Sequence, residues 1–256
     1  MVGLLTAVLT AAALRASQSL GSELLRRNLP VPKDAPDLEQ PITSYSVLDD
    51  ERGFVIAYYE LGQDSVLHEL RVRSYDRGAL AWKSATFQEI GSVLSIQRGA
   101  RFLYLTGHSS PSASSLMVLD EGLRLKKELD GFLPLVLSDG RVVFIRSMIH
   151  FSPTHAEVLA IYDPLTDCEQ SIFPPGDVQN NRGGERVPGM DVWVDRSFDQ
   201  VRTGREAGTI EFLAVSQRMR LNPHQEAEPT APEERAFVTC NVAQLVPICR
   251  TRPAPK

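Results

Sequence analysis

Three histidines offer the most direct route to chemistry in this chain. His108 and His150 stand 42 residues apart and open the same short string, His108-Ser109-Ser110-Pro111 and His150-Phe151-Ser152-Pro153. With His155 they supply three imidazoles, and neutral imidazole is a good ligand for zinc, copper or iron. A hydrolase or metal-dependent enzyme using His108, His150 and His155 is therefore one reading. The plainer reading makes them turn residues whose rings bond backbone carbonyls. The set is incomplete: His68 sits in a different register, and no histidine or cysteine recurs where a fourth equivalent would fall.

Other chemistry-bearing residues are also open to two readings. Glu60, Asp64 and Glu69 gather around one connection, where paired carboxylates could cleave a glycosidic bond, although carboxylates are common in exposed loops. Tyr58 and Tyr59 with Trp82 could form an aromatic platform, or lie half buried on strands between packed sheets, which is the expectation here. Asp76, Asp120 and Asp163 each close an apolar run. Calcium needs six or more oxygens from closely spaced residues, and one Asp per repeat cannot supply them. A side chain that caps a tight turn explains all three. Gly-x-Ser-x-Gly, a Gly-rich phosphate loop before a helix, and His-Glu-x-x-His are absent. No catalytic, cofactor-binding or metal residue is assigned, and no cofactor is implied. The expected role is a non-enzymatic binding or scaffolding module for an unknown protein, glycan or small molecule.

The elements that would position these residues recur. The Asp residues are spaced 44 and 43 apart, in Tyr75-Asp76-Arg77-Gly78, Leu119-Asp120-Glu121-Gly122 and Tyr162-Asp163-Pro164-Leu165. Each follows two β-branched or aromatic runs: 53–59 and 67–75, then 101–105 and 115–119, then 140–145 and 157–162. Runs at 92–96 and 133–137 add a strand between turns. Helical periodicity between the runs is missing, which argues against βαβ units. Self-similarity at this period, with several short strands per unit, is the signature of a propeller blade. The match between the two His-x-Ser-Pro strings supports the repeat independently of the apolar runs.

Regularity fades after Pro175. Residues 176–189 read as a loop insertion, and Met190 to Val201 as a strand or a short helix. Strand character returns at 209–219 and 235–242, around a Pro- and Glu-rich stretch, 222–234, expected to be an exposed loop. Asn241 then takes the turn position of the three Asp residues. It lies 78 residues after Asp163, about two periods, so an insertion or a degenerate extra blade fills the gap.

On these turns and the strands before them, the region 42–252 resembles bacterial β-propeller proteins of the broad WD40-like or YVTN-like kind. It departs from WD40 proper in lacking the Gly-His opening and Trp-Asp closing dipeptides. The resemblance implies an all-β, propeller-like repeat of short antiparallel strands and transfers no catalytic or ligand residue. About four units can be counted, near the lower limit for a propeller. The runner-up is a β-sandwich whose strands recur at this spacing.

Composition sets the remaining bounds. The 256 residues are 43% hydrophobic and 23% charged, ordinary for a globular chain. A formal net charge of −5 gives no electrostatic footprint for nucleic acid. Arg71 with Arg73, and Lys126 with Lys127, are expected to form solvated faces.

The N-terminal segment, 1–28, begins with an uncharged apolar run, Val2 to Leu14, and reads as a signal peptide or a helix. A cleavage site could fall within Ala16-Ser17-Gln18-Ser19, and 19–28 has helix-forming residues. No Lys or Arg precedes the run, and Arg15 interrupts its end. A Pro-rich linker at 29–41 follows. The expected location is periplasmic or extracellular, with the cytoplasm as alternative. Membrane association is expected only through an uncleaved N-terminal segment. Export would let Cys240 and Cys249 pair across a hairpin, leaving Cys168 over.

Overall fold

The computed structural model describes residues 19–32, 45–61, 68–88, 93–110, 113–147, 157–172, 192–222, 227–244 and 247–254. The chain divides into two compact units, Met1–Ile96 with Gly122–Arg124, and Gln97–Glu121 with Leu125–Lys256. The described residues form four antiparallel sheets. Sheet 1 holds β1 (Tyr45–Asp50), β2 (Gly53–Leu61), β3 (His68–Asp76) and β4 (Ala81–Gln88) in that order. Sheet 2 holds β5 (Val93–Arg98), β6 (Phe102–Ser110), β7 (Ala113–Asp120) and β8 (Leu125–Asp130). Sheet 3 holds β9 (Phe132–Val136), β10 (Val142–Ser147), β11 (Glu157–Asp163) and β12 (Cys168–Ile172).

Sheet 4 runs β13 (Val192–Thr203), β14 (Thr209–Leu221), β16 (Glu234–Asn241) and β17 (Ile248–Pro253), with β15 (Ala227–Pro229) paired to β14 beyond the end of β16. The fold is all-β, a propeller-like repeat of four-stranded meanders, as the Asp spacing predicts. Asp76, Asp120 and Asp163 each end the third strand of a sheet, and Asn241 ends β16, the third strand along the path of sheet 4.

The turns show why that position wants a short polar side chain. Asp76 Oδ1 accepts from the backbone N–H of Gly78 at 2.8 Å and of Ala79 at 3.0 Å. Those bonds, with Ala79 the larger influence, hold its carboxyl below the usual carboxylate range. Asp163 Oδ1 accepts from the Leu165 N–H and its Oδ2 from the Thr166 hydroxyl, both at 2.9 Å. Asn241 Oδ1 accepts from the Ala243 N–H at 3.0 Å. The same turns in sheets 1 to 3 each place one non-glycine residue in the left-handed region: Leu80 at φ 52°, Leu123 at 60° and Asp167 at 54°. Without glycine there, composition gives no hint of it.

Sheet 3 shows how apolar runs become cores. Successive side chains on a strand point to opposite faces. Val142 and Phe144 on β10 join Tyr104, Leu116 and Val118 of sheet 2. Val143 and Ile145 join Phe198, Ile210, Phe212 and Val238 of sheet 4. Both faces are buried, which accounts for the unbroken Val-Val-Phe-Ile run where a one-sided strand would alternate.

In the first unit, one face of sheet 1 is covered by α1 (Leu20–Arg26). Leu20, Leu24 and Leu29 meet Phe54, Ile56 and Tyr58. A seven-residue helix is too short to persist alone, so this contact stabilises it. Arg27 reaches Asp49 at 3.4 Å, and Trp82 Nε1 donates to the Pro30 carbonyl at 2.9 Å.

Three expectations need correction or sharpening. Of the stretch Met190 to Val201, expected as strand or helix, 192–201 falls on the long strand β13, and 190–191 lie outside the described residues. The stretch 222–234 is not wholly loop: Arg220 and Leu221 pair with Glu228 and Ala227, extending the ladder of β14. Arg73 does not belong to a solvated face. It lies on the same face of sheet 1 as α1, directly opposite Ile56, and is 4% exposed.

Candidate functional site

The second unit aligns its sheets by their tight-turn ends. Tyr104 near the start of β6 donates its hydroxyl to the carbonyl of Gly140, in the turn between β9 and β10, at 2.6 Å. Lys127 on β8 pairs at 3.2 Å with Asp167, in the turn between β11 and β12. Arg141 at the head of β10 donates from Nη1 to the carbonyl of Val242, just past β16, at 2.5 Å. Its guanidinium also grips Asp139, with Nη2 at 2.6 Å and Nε at 2.9 Å from Oδ2.

Since the three contacts sit at tight turns, the connections of variable length fall at the opposite strand ends. There β6 passes to β7 through 111–112, β10 to β11 through 148–156, and β14 to β16 through 222–233.

His108 lies at this end. It is exposed, and its Nδ1 is 3.3 Å from the hydroxyl of Ser114, its register partner across the β6–β7 hairpin. The ring thus meets the neighbouring strand through a side-chain hydroxyl and not through a backbone carbonyl. His150 and His155 fall outside the described residues, so the structure does not bring the triad together. Among the described residues, no group of three or more His, Cys, Asp or Glu is placed to hold a metal ion. Among the described residues near this end, Ser115 Oγ donates to Glu128 Oε1 at 2.7 Å, Arg220 meets Glu228 at 2.5 Å, and Arg146 reaches along its sheet to pair with Glu169.

The acidic candidates sit in the first unit. Glu60 and Glu69 are direct register partners on β2 and β3. Asp64 lies outside the described residues. The aromatic candidates do not form an open platform. Tyr58 is 1% exposed beneath α1 and accepts a 2.8 Å hydrogen bond from Arg73 Nε. Trp82 packs against the same cluster. Tyr59 points to the opposite face, and burial pushes its hydroxyl well above the usual phenol range. Sequence reasoning missed the Tyr58–Arg73 pair, because burial of an arginine depends on what packs over its strand.

Cys240 and Cys249 are directly opposite on β16 and β17 and joined in a disulfide, with Cα atoms 4.0 Å apart. Cys168 is an exposed free thiol.

No known protein family and no curated protein matches this chain. Among solved structures it is similar to the mannose phosphorylase MPT-4 of Leishmania mexicana, at 9% identity over 83% of this chain and 70% of that one, TM-score 0.31. It is similar to the β-propeller domain of the Trilobed protease of Pyrococcus furiosus, at 15% identity over 77% of each chain, TM-score 0.33. A third likeness is to the GDP-Man-dependent mannosyltransferase MPT-1 of Leishmania mexicana, at 11% identity over 83% and 74%, TM-score 0.29. At these scores the likenesses say nothing of activity, and the architecture rests on the strand order described above.

Proposed function

We propose that the chain is a non-enzymatic binding or scaffolding module, and that its ligand meets the ends of sheets 2, 3 and 4 where β6, β10 and β14 stop. The carrying observation is the alignment of the tight turns. Tyr104, Lys127 and Arg141 hold neighbouring sheets together at that end, where a change of length would break a contact. Length varies at the other end, from a two-residue link to the twelve residues between β14 and β16. Connections of that kind carry binding residues in many folds, and repeat arrays use them together as one surface.

The test is capture from native extract by the immobilised protein, compared with a variant whose residues 108–114 are replaced by an Asn-Gly hairpin. Capture lost in a variant of unchanged melting temperature supports the reading, and equal capture overturns it. Stoichiometric zinc or iron, lost on His150→Ala, would instead favour a metal-dependent hydrolase.

We also propose a periplasmic or extracellular location. The Cys240–Cys249 bond supports it, because such bonds persist in oxidising compartments. Alkylation of the native protein before reduction should then label one cysteine; three labelled thiols would return the protein to the cytosol.

A further inference from the structure

Strand β17 is the outermost of sheet 4, and among the described residues nothing pairs with its far side. Five of its six residues are exposed, with Ile248 at 53%. Its register with β16 fixes where the side chains point. Cys249 and Thr251 stand opposite Cys240 and Val238, which belong to the core shared with sheet 3. Arg250 and Arg252, opposite Thr239 and Phe237, therefore point to the other face. The Arg252 guanidinium lies over the Phe237 ring, 5.4 Å from its centre.

Charge on that face is uneven. Arg202 is neutralised by Glu211 at 3.0 Å, and Arg235 by Glu233 at 2.7 Å. Among the described residues, Arg250 and Arg252 have no acidic partner. Two residues apart, they project about 6.8 Å from one another along the strand. The other outer strands of the second unit differ: β8 carries charges of both signs, and β12 exposes one residue in five. The Cys240–Cys249 bond also ties β17 to β16, so a ligand would meet an edge that is already ordered.

An edge strand is open to pairing with another chain, and its charges decide which chain. A second copy of β17 centred on Thr251 would set Arg250 against Arg252, which cross-strand pairing disfavours. We propose that β17 is a docking site for an extended acidic segment of a partner protein. The segment adds a strand to sheet 4 and sets carboxylates at alternate positions beside Arg250 and Arg252. Backbone hydrogen bonds to the edge supply affinity, and the two guanidinium groups select the acidic sequence. This site stands whether or not a ligand meets the ends of β6, β10 and β14.

The oxidised full chain is titrated against a fluorescent peptide that alternates Glu and Val, with binding read by anisotropy. Saturable binding that weakens with salt is expected, and a peptide alternating Lys and Val should not bind. Arg250→Gln combined with Arg252→Gln should weaken binding roughly tenfold at an unchanged melting temperature. Two further peptides carry backbone N-methyl groups, one on its Glu residues and the other on its Val residues. Alternate N–H groups of a strand point to opposite sides, so only one of these two should lose binding. Loss from both or from neither overturns strand addition. Equal affinity in the arginine variant, or no binding of the first peptide below ~1 mM, overturns the site itself.

Discussion

Tyr104 and Gly140 join two sheets through one hydrogen bond, from a hydroxyl in a fully buried ring to a carbonyl 2.6 Å away in a tight turn. Burial pushes that hydroxyl well above its ordinary titration range, so it stays a donor at any pH the protein meets. Tyr104→Phe keeps the ring and leaves the carbonyl without this partner. The expected loss is ~1–2 kcal/mol of unfolding free energy, read from urea denaturation. An unchanged midpoint would mean that water replaces the hydroxyl at no cost.

Phe144 tests the two-faced burial of sheet 3. Its side chain is 1% exposed in the cluster shared with sheet 2. Phe144→Ala should cost ~3–5 kcal/mol, through lost transfer energy and the cavity left behind. Ile145→Val, on the face shared with sheet 4, should cost ~0.5–1.5 kcal/mol. Comparable losses from both would contradict the packing described.

Glu23 gives helix α1 a pH signature. Its hydrogen bonds to Arg26, and then those to Arg27, hold its carboxyl down at about 2, from an ordinary 4.5, against an opposing push from burial. A depressed acid stabilises the folded state fully above its unfolded value, and the gain is lost as pH falls through the folded one. Wild type should therefore exceed Glu23→Gln by about 1 kcal/mol at neutral pH, a figure discounted for solvent screening. The gap should close between pH 4.5 and about 2. Parallel melting curves across that range would show that the ion pairs add nothing.

The disulfide closes a short hairpin, with nine residues of sequence separation. Its reduction, or Cys249→Ser paired with Cys240→Ser, should lower stability by ~2–3 kcal/mol. Strand β17 should exchange its amide hydrogens faster than β16, because among the described residues β17 has a ladder on one side only, and reduction should widen the difference by removing the tie at Cys249. Equal exchange in the oxidised and reduced forms would show that the backbone ladder holds this edge by itself.

The repeat was legible because its marks are local. An Asp that caps its own turn, and an apolar run six residues long, are visible in single stretches of chain. Eight of the twelve strands of sheets 1 to 3 follow from them within a few residues, whereas β1, β4, β8 and β12, more polar and on the flanks of their sheets, carry no such run apart from short stretches. Sheet 4 was harder, since β13 and β14 are 12 and 13 residues long and β15 interrupts the connection, stretching the period. The burial of Arg73 was invisible for a different reason. A charge on a strand reads as exposed until one knows that a helix fifty residues upstream lies on that face. His108 was found, but its partner Ser114 depends on hairpin register, which spacing alone does not settle. The alignment of tight turns came from Arg141 and Val242, 101 residues apart, and no local pattern reports such a contact.

Each described sheet is written by one uninterrupted stretch of chain, from 45–88, 93–130, 132–172 and 192–253. Among the described residues, no ladder waits for a strand from the far end of the sequence. A chain emerging from a ribosome, or threaded through a membrane pore, can therefore finish the hydrogen bonding of one sheet before the next has appeared. What it cannot finish early is the burial of both faces. Phe144 finds Tyr104 already in place, but the sheet face that carries Ile145 is not covered until Phe198 and Phe212 arrive. During synthesis of the second unit the growing end carries one oily sheet face at a time, and that vulnerable surface passes from sheet 2 to sheet 3 to sheet 4 as each is added.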